Sequence, residues 1–158
     1  MFSTPRGAAR LSLIVVAGLV GLKIAVAVIT GSISILAQAA DSFLDLFAVA
    51  ITLFAVTIAN RPADEEHPFG HGKVENVAAV VQAVLIFTAG GLLIYSAVRR
   101  IVVGTAVEMT EAGMVVMLVS IIASLFLSRH LIRVARAADS IALEANARNI
   151  AADVYSAG

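Results

Sequence analysis

Residues 33–59 read ISILAQAADSFLDLFAVAITLFAVTIA, and their only charges are Asp41 and Asp45. A helix that crosses a bilayer needs about 20 mainly apolar residues. This stretch therefore predicts a transmembrane helix that carries two carboxylates at membrane depth. Upstream, the Gly31-Ser32 pair reads as a tight turn, and about Leu11 to Ile29 forms another apolar run. Downstream come a polar loop from Asn60 to Gly72 and a third run over about Val74 to Val98. A short polar turn, Gly104 to Glu111, leads to a fourth run, about Ala112 to Leu127. Ser128 to Asp139 reads as a basic linker, and a fifth span starts near Ser140 and is cut off at Gly158.

Composition agrees with lipid as the solvent. The 158 residues are 60% hydrophobic and only 14% charged, whereas soluble domains carry about 45–50% apolar and about 25% charged residues. The expected fold is an all-α integral membrane protein, a transmembrane helix bundle. Its spans lie at about 11–29, 33–59, 74–98, 112–127 and 140–158, within one transmembrane domain over 1–158. Arg6 and Arg10 precede the first run as in a signal peptide, but that run exceeds the roughly 7–15 apolar residues of such a segment. Zero net charge gives no bulk attraction to nucleic acid. With no cysteine, any metal must be held by oxygen or imidazole.

Basic residues near the helix ends set the expected orientation. With a cytoplasmic N-terminus, the inside carries Arg6, Arg10, Arg61, Lys73, Arg129, Arg133 and Arg136, and the outside only Arg99 and Arg100. The expectation is a multi-pass protein of the cell membrane, a bacterial inner membrane, with the His-containing loop in the cytoplasm.

Charge inside a bilayer costs roughly 2.5–3.5 kcal/mol per residue on insertion scales, so such residues face the bundle interior and usually serve function. Asp41 and Asp45 are four apart and share one helical face. Asn149 and Asp153, in NIAAD, repeat that spacing on the fifth span. If the second and fifth helices pack together, Asp41, Asp45, Asn149 and Asp153 can form a four-ligand oxygen site for a divalent cation. Lys23, mid-way along the first span, could pair with one aspartate, but one lysine cannot neutralise three. Asn146 reads better as a helix–helix hydrogen bond than as a ligand. Gly18, Gly21, Gly90 and Gly91 could serve close helix packing.

The loop RPADEEHPFGHGKVE sets Asp64, His67 and His71 at short spacing. A carboxylate and two imidazoles suit zinc-like ions, and Glu65 and Glu66 add negative potential that would concentrate cations. Pro62 and Pro68 stiffen the backbone, while Gly70 and Gly72 permit tight turns. The same loop also reads as a solvated charged segment whose histidines bind nothing.

Three stretches, GSISILAQAADSFLD, RPADEEHPFGHGK and ALEANARNIAADVYS, resemble in order and spacing the cation diffusion facilitator family of metal exporters. The resemblance implies a homodimer with six helices per subunit, followed by a cytoplasmic ferredoxin-like domain. The sixth helix and that domain are expected to be missing from this sequence. It also implies export of a divalent metal against inward proton flow. The transport site would be Asp41, Asp45, Asn149 and Asp153, and a loop site would use Asp64, His67 and His71. Lys73 matches a lysine that contributes to dimer stability in relatives. Two positions depart from the pattern. Many zinc-exporting relatives have His where this chain has Asn149, and the family's common Asp is replaced by Asn146. An all-oxygen site suits manganese or ferrous iron better than an imidazole site does, so the metal is left among Zn, Mn and Fe. No bound cofactor is expected; the metal is cargo, and the partners are the bilayer, the metal, protons and a second subunit. A non-transporting dimer subunit is one alternative. An intramembrane metalloenzyme is another, though the chain has no HExxH and no Ser–His pair at membrane depth.

Overall fold

The computed structural model describes residues 3–65, 67–103 and 111–157, less the side chains of 33, 93, 97, 100, 153 and 155–157. Glu66 and most of the expected turn at Gly104 to Glu111 lie outside the described residues. Five helices follow in order: α1 (Pro5–Thr30), α2 (Ile33–Ala59), α3 (Lys73–Val103), α4 (Glu111–Ala138) and α5 (Ile141–Ala157).

Local chemistry sets the helix ends. Thr4 caps α1 by accepting from the Gly7 N–H at 3.1 Å, with Pro5 in the first turn, where its missing N–H has no intrahelical role. Gly31 ends α1 at φ 65°, a conformation open to glycine. Ser32 then caps α2 by accepting from the Ile35 N–H at 3.4 Å. The α1–α2 turn is therefore as tight as the sequence implies.

The fourth helix departs from expectation. Ser128 to Ala138 is not a linker but the last turns of α4. Arg129, Arg133 and Arg136 lie on those turns, and Arg136, in the last one, complements the negative end of the helix dipole. Polarity ended the apolar run without ending the helix. The helix stops at Asp139, at φ 52°, and Ser140 N–H returns to the Ala135 carbonyl at 3.0 Å, a Schellman-type closure. Ser140 Oγ at once begins α5, accepting from Leu143 N–H at 3.4 Å.

α5 packs against α2, α3 and α4, while α1 packs against α2 and α4. One apolar cluster joins Val16 and Val20 of α1, Val49 of α2, Leu131 of α4, and Leu143 and Ile150 of α5. Polarity is inverted relative to a soluble bundle. Ser12, Ser42, Thr52, Gln82, Ser128 and Asn146 are buried, while Phe43, Phe47, Phe54, Phe87 and Phe126 face outward. Lipid solvates those rings, and the polar groups turn inward to find partners. α1 to α4 are each long and apolar enough to cross a membrane.

The interior polar groups tie the helices together. Gln82 Nε2 donates to Thr52 Oγ1 at 2.8 Å, linking α3 to α2. Asn146 Nδ2 donates to Ser12 Oγ at 3.2 Å, linking α5 to α1. Asn146 is thus a helix–helix bond, as its sequence context implies. The small-residue expectation finds no support among the described residues: a Cβ added at Gly18, Gly21, Gly90 or Gly91 would meet nothing within 4 Å. These glycines allow no close approach between the described helices.

Candidate metal centres

The intramembrane centre begins with Asp45 on α2, half-buried. Across the α2–α5 contact, Asn149 Nδ2 donates to Asp45 Oδ1 at 3.2 Å. As placed, the amide presents its N–H to the carboxylate. Half a turn of the amide would present Oδ1 to the same point and leave two oxygens facing each other, which favours a cation between them. Arg148 does not neutralise this pair from the next position. Its guanidinium turns to Glu144 at 2.7 Å, one turn back on the helix surface. Asp41 stands one turn before Asp45 with its side chain exposed. Asp153 lies on α5, one turn beyond Asn149, and its side chain is outside the described residues. Of the four oxygen ligands expected, the structure brings Asp45 and Asn149 together.

A cavity of about 60 Å³ lies beside Asp45, and it was not legible in the sequence. Lys23, Ser42, Ser120 and Ser124 supply its other polar walls, and Ile150 and Val154 of α5 line another side. Lys23 Nζ donates to Ser42 Oγ at 2.6 Å. The Ser120 hydroxyl is buried with no hydrogen-bond partner among the described residues. Only a three-dimensional match of α1, α2 and α4 could have grouped them, since serines in apolar runs carry no periodic signal.

The second centre forms inside the loop. His67 N–H donates to Asp64 Oδ1 at 2.7 Å, and His67 Nδ1 lies 3.0 Å from the same oxygen. Gly70, at φ 77°, lets the chain reverse after Pro68. The reversal returns His71 Nε2 to 3.5 Å from Asp64 Oδ2. One ligand atom from each residue falls within 4.8 Å of the others, a spacing that a small cation could bridge. Asp64 and His67 are about half exposed, whereas His71 is largely covered. Desolvation pushes the Asp64 carboxyl up. The hydrogen bonds from His67 and the charges of His67 and His71 outweigh it and hold the carboxyl below its ordinary range. Asp64 therefore stays an anionic ligand into mild acid.

The start of α3, just after the loop, reaches α5 through a residue with no role assigned from sequence. Glu75, on the first turn of α3, accepts from Ser140 Oγ at 2.7 Å and from the Ala142 N–H at 3.4 Å. Its carboxylate thus sits at the positive end of the α5 dipole. The spacing His71-Gly72-Lys73-Val74-Glu75 was the available signal, but its partner is 65 positions away.

Residues 9–158 match the family model described as the cation efflux transmembrane domain. The chain belongs to that family. Its members are transporters rather than enzymes, so the metalloenzyme alternative is set aside. The expected kinship with cation diffusion facilitators holds for this transmembrane portion. A cation-efflux pump FieF of Shewanella oneidensis is 33% identical over 148 residues, covering 94% of this chain and 50% of that protein. A cation-efflux pump FieF of Klebsiella pneumoniae is 35% identical over 129 residues, covering 82% of this chain and 43% of the pump. An uncharacterized transporter of Synechocystis sp. is 31% identical over 135 residues, covering 85% of this chain and 44% of its own length. The chain thus spans half or less of the length of these curated relatives. Family and helices together make it a multi-pass membrane protein whose family moves cations.

Proposed function

We propose that this protein exports a divalent metal cation in exchange for protons, with the metal carried between α2 and α5. The carrying observation is the approach of Asn149 to Asp45 at 3.2 Å, from positions 104 residues apart. Asp41 and Asp153, one turn away on each helix, complete the ligand set. Rotation of the Asn149 amide accompanies metal arrival. Rocking of helices then exposes the site to the other side of the membrane. Protons compete with the metal for the same oxygens and displace it there, so transport is coupled to pH.

The loop residues Asp64, His67 and His71 form a second, cytoplasmic site, with the N-terminus also inside, in a homodimer of the bacterial inner membrane. The oxygen-rich ligand set favours manganese or ferrous iron over strict zinc selectivity. The Shewanella and Klebsiella relatives, both named cation-efflux pumps, support export as the direction.

The test is uptake of Zn, Mn and Fe(II), singly and in competition, by proteoliposomes under a pH gradient. Asp45→Ala should abolish uptake while leaving insertion intact. Persistent uptake in that variant removes Asp45 from the site. One feature favours a second reading, a non-transporting dimer subunit: the amide at Asn149 where zinc exporters often carry imidazole. No uptake by the protein alone would support it.

A further inference from the structure

Lys23 is the sole charged residue on α1 after Arg10, at a depth where charge costs roughly 2.5–3.5 kcal/mol. Its ammonium turns inward and donates to Ser42 at 2.6 Å. Ser42 is buried, immediately follows Asp41 and precedes Asp45 by three positions on α2. Lys23 and Asp45 line the same cavity, and so do Ser120 and Ser124 of α4. The Ser120 hydroxyl is buried with no partner among the described residues. The structure thus provides a flexible cation, a carboxylate in the same chamber, and a second cradle of hydroxyls where that cation can rest. A packing role alone would be met by an uncharged side chain without the desolvation cost.

We propose that Lys23 is a tethered counter-ion that competes with the transported metal for Asp45. When the metal arrives, the ammonium withdraws to the hydroxyls of Ser42, Ser120 and Ser124. When the metal leaves, it swings back and neutralises the carboxylate. The lysine therefore weakens metal binding and speeds release, which keeps the cation from being trapped. It contacts no metal and is a positioning residue that sets affinity and turnover. The inference rests on Asp45 belonging to the transport site.

The experiment compares Lys23→Gln, Lys23→Arg and Asp45→Ala in one proteoliposome uptake assay, with manganese and with zinc as the probes. Lys23→Gln keeps a donor for Ser42 but removes the charge. The expected result is a KM for metal lowered about tenfold together with a kcat lowered several-fold, since tighter ground-state binding slows release. Lys23→Arg keeps the charge and should keep KM near the wild-type value. Equilibrium metal binding to the purified Lys23→Gln protein in detergent gives a second measure, with tighter binding expected. If Lys23→Gln leaves KM unchanged or raises it while Asp45→Ala abolishes uptake, the counter-ion role is overturned and the transport site stands. If Asp45→Ala leaves uptake intact, both readings fall.

Discussion

The loop cluster and the intramembrane pair are built in opposite ways. Asp64, His67 and His71 come from eight consecutive residues, and their ligand atoms lie within 4.8 Å of one another. Asp45 and Asn149 come from different helices, 104 positions apart, and meet through one contact of 3.2 Å. The loop cluster is formed by short-range backbone geometry and so does not depend on how the helices pack. The intramembrane pair meets only while α2 and α5 keep their packing, so a small shift between them would part it. A transporter needs the second property at the point where cargo changes sides, and the first property where cargo is captured.

The largest effects should separate the two sites. Asp45→Ala is expected to remove transport and one class of bound metal. Replacing Asp64, His67 and His71 together by alanine should remove the other class while lowering transport by less than about tenfold, roughly 1.4 kcal/mol. Equilibrium dialysis and liposome uptake on the same preparations measure both. Complete loss of transport in the loop variant would show the two centres to be a single functional unit.

Selectivity gives the next effect. Asn149→His replaces an amide by imidazole, and preference for zinc over manganese should rise by about tenfold or more. Competition uptake reads this directly, and an unchanged profile would argue against selectivity set by oxygen ligands. A smaller effect concerns the bridge between the two regions. Glu75→Ala removes the acceptor that holds Ser140 and the start of α5, and should cost about 1–2 kcal/mol. Thermal unfolding in detergent should show this, with Glu75→Gln closer to wild type; equal stability of all three would mean that α5 is held by apolar packing alone. The smallest effect is expected at Thr52→Val. It leaves the buried Gln82 amide without its Thr52 partner, worth about 0.6 kcal/mol by the average for hydrogen bonds between membrane helices. A loss well above that would mark the α2–α3 bond as a keystone of the bundle.

Much of the fold was legible in particular stretches. Ile33 to Ala59 reads as one helix and is one helix, because length and apolarity suffice in lipid. Gly31-Ser32 reads as a turn because left-handed backbone followed by a capping hydroxyl has few alternatives. The Ser128–Ala138 segment reads as a linker because three arginines break the apolar run, yet arginine is a good helix former and Arg136 suits a helix C-terminus. The glycines left their role open because a small residue permits close packing without requiring it, and no described neighbour approaches them. At the candidate sites, residue types and spacing named Asp45 and Asn149, but they gave no sign of Lys23 meeting Ser42 or of Glu75 meeting Ser140.

The amino-acid sequence by itself determined the membrane class, the existence of five helices with α2 and α5 bounded within a residue or two, the cation-efflux kinship and the loop cluster. Each of these depends on composition or on contacts within a few positions along the chain. Only the tertiary structure decided which polar side chains meet inside: Asn149 with Asp45, Lys23 with Ser42, Gln82 with Thr52, and Glu75 with Ser140. Lipid tails solvate every apolar face of a helix equally well, so the hydrophobic stripe that orients helices in water is weak here. The facing sides are chosen instead by a few buried hydrogen bonds and by shape, and those are properties of the assembled bundle.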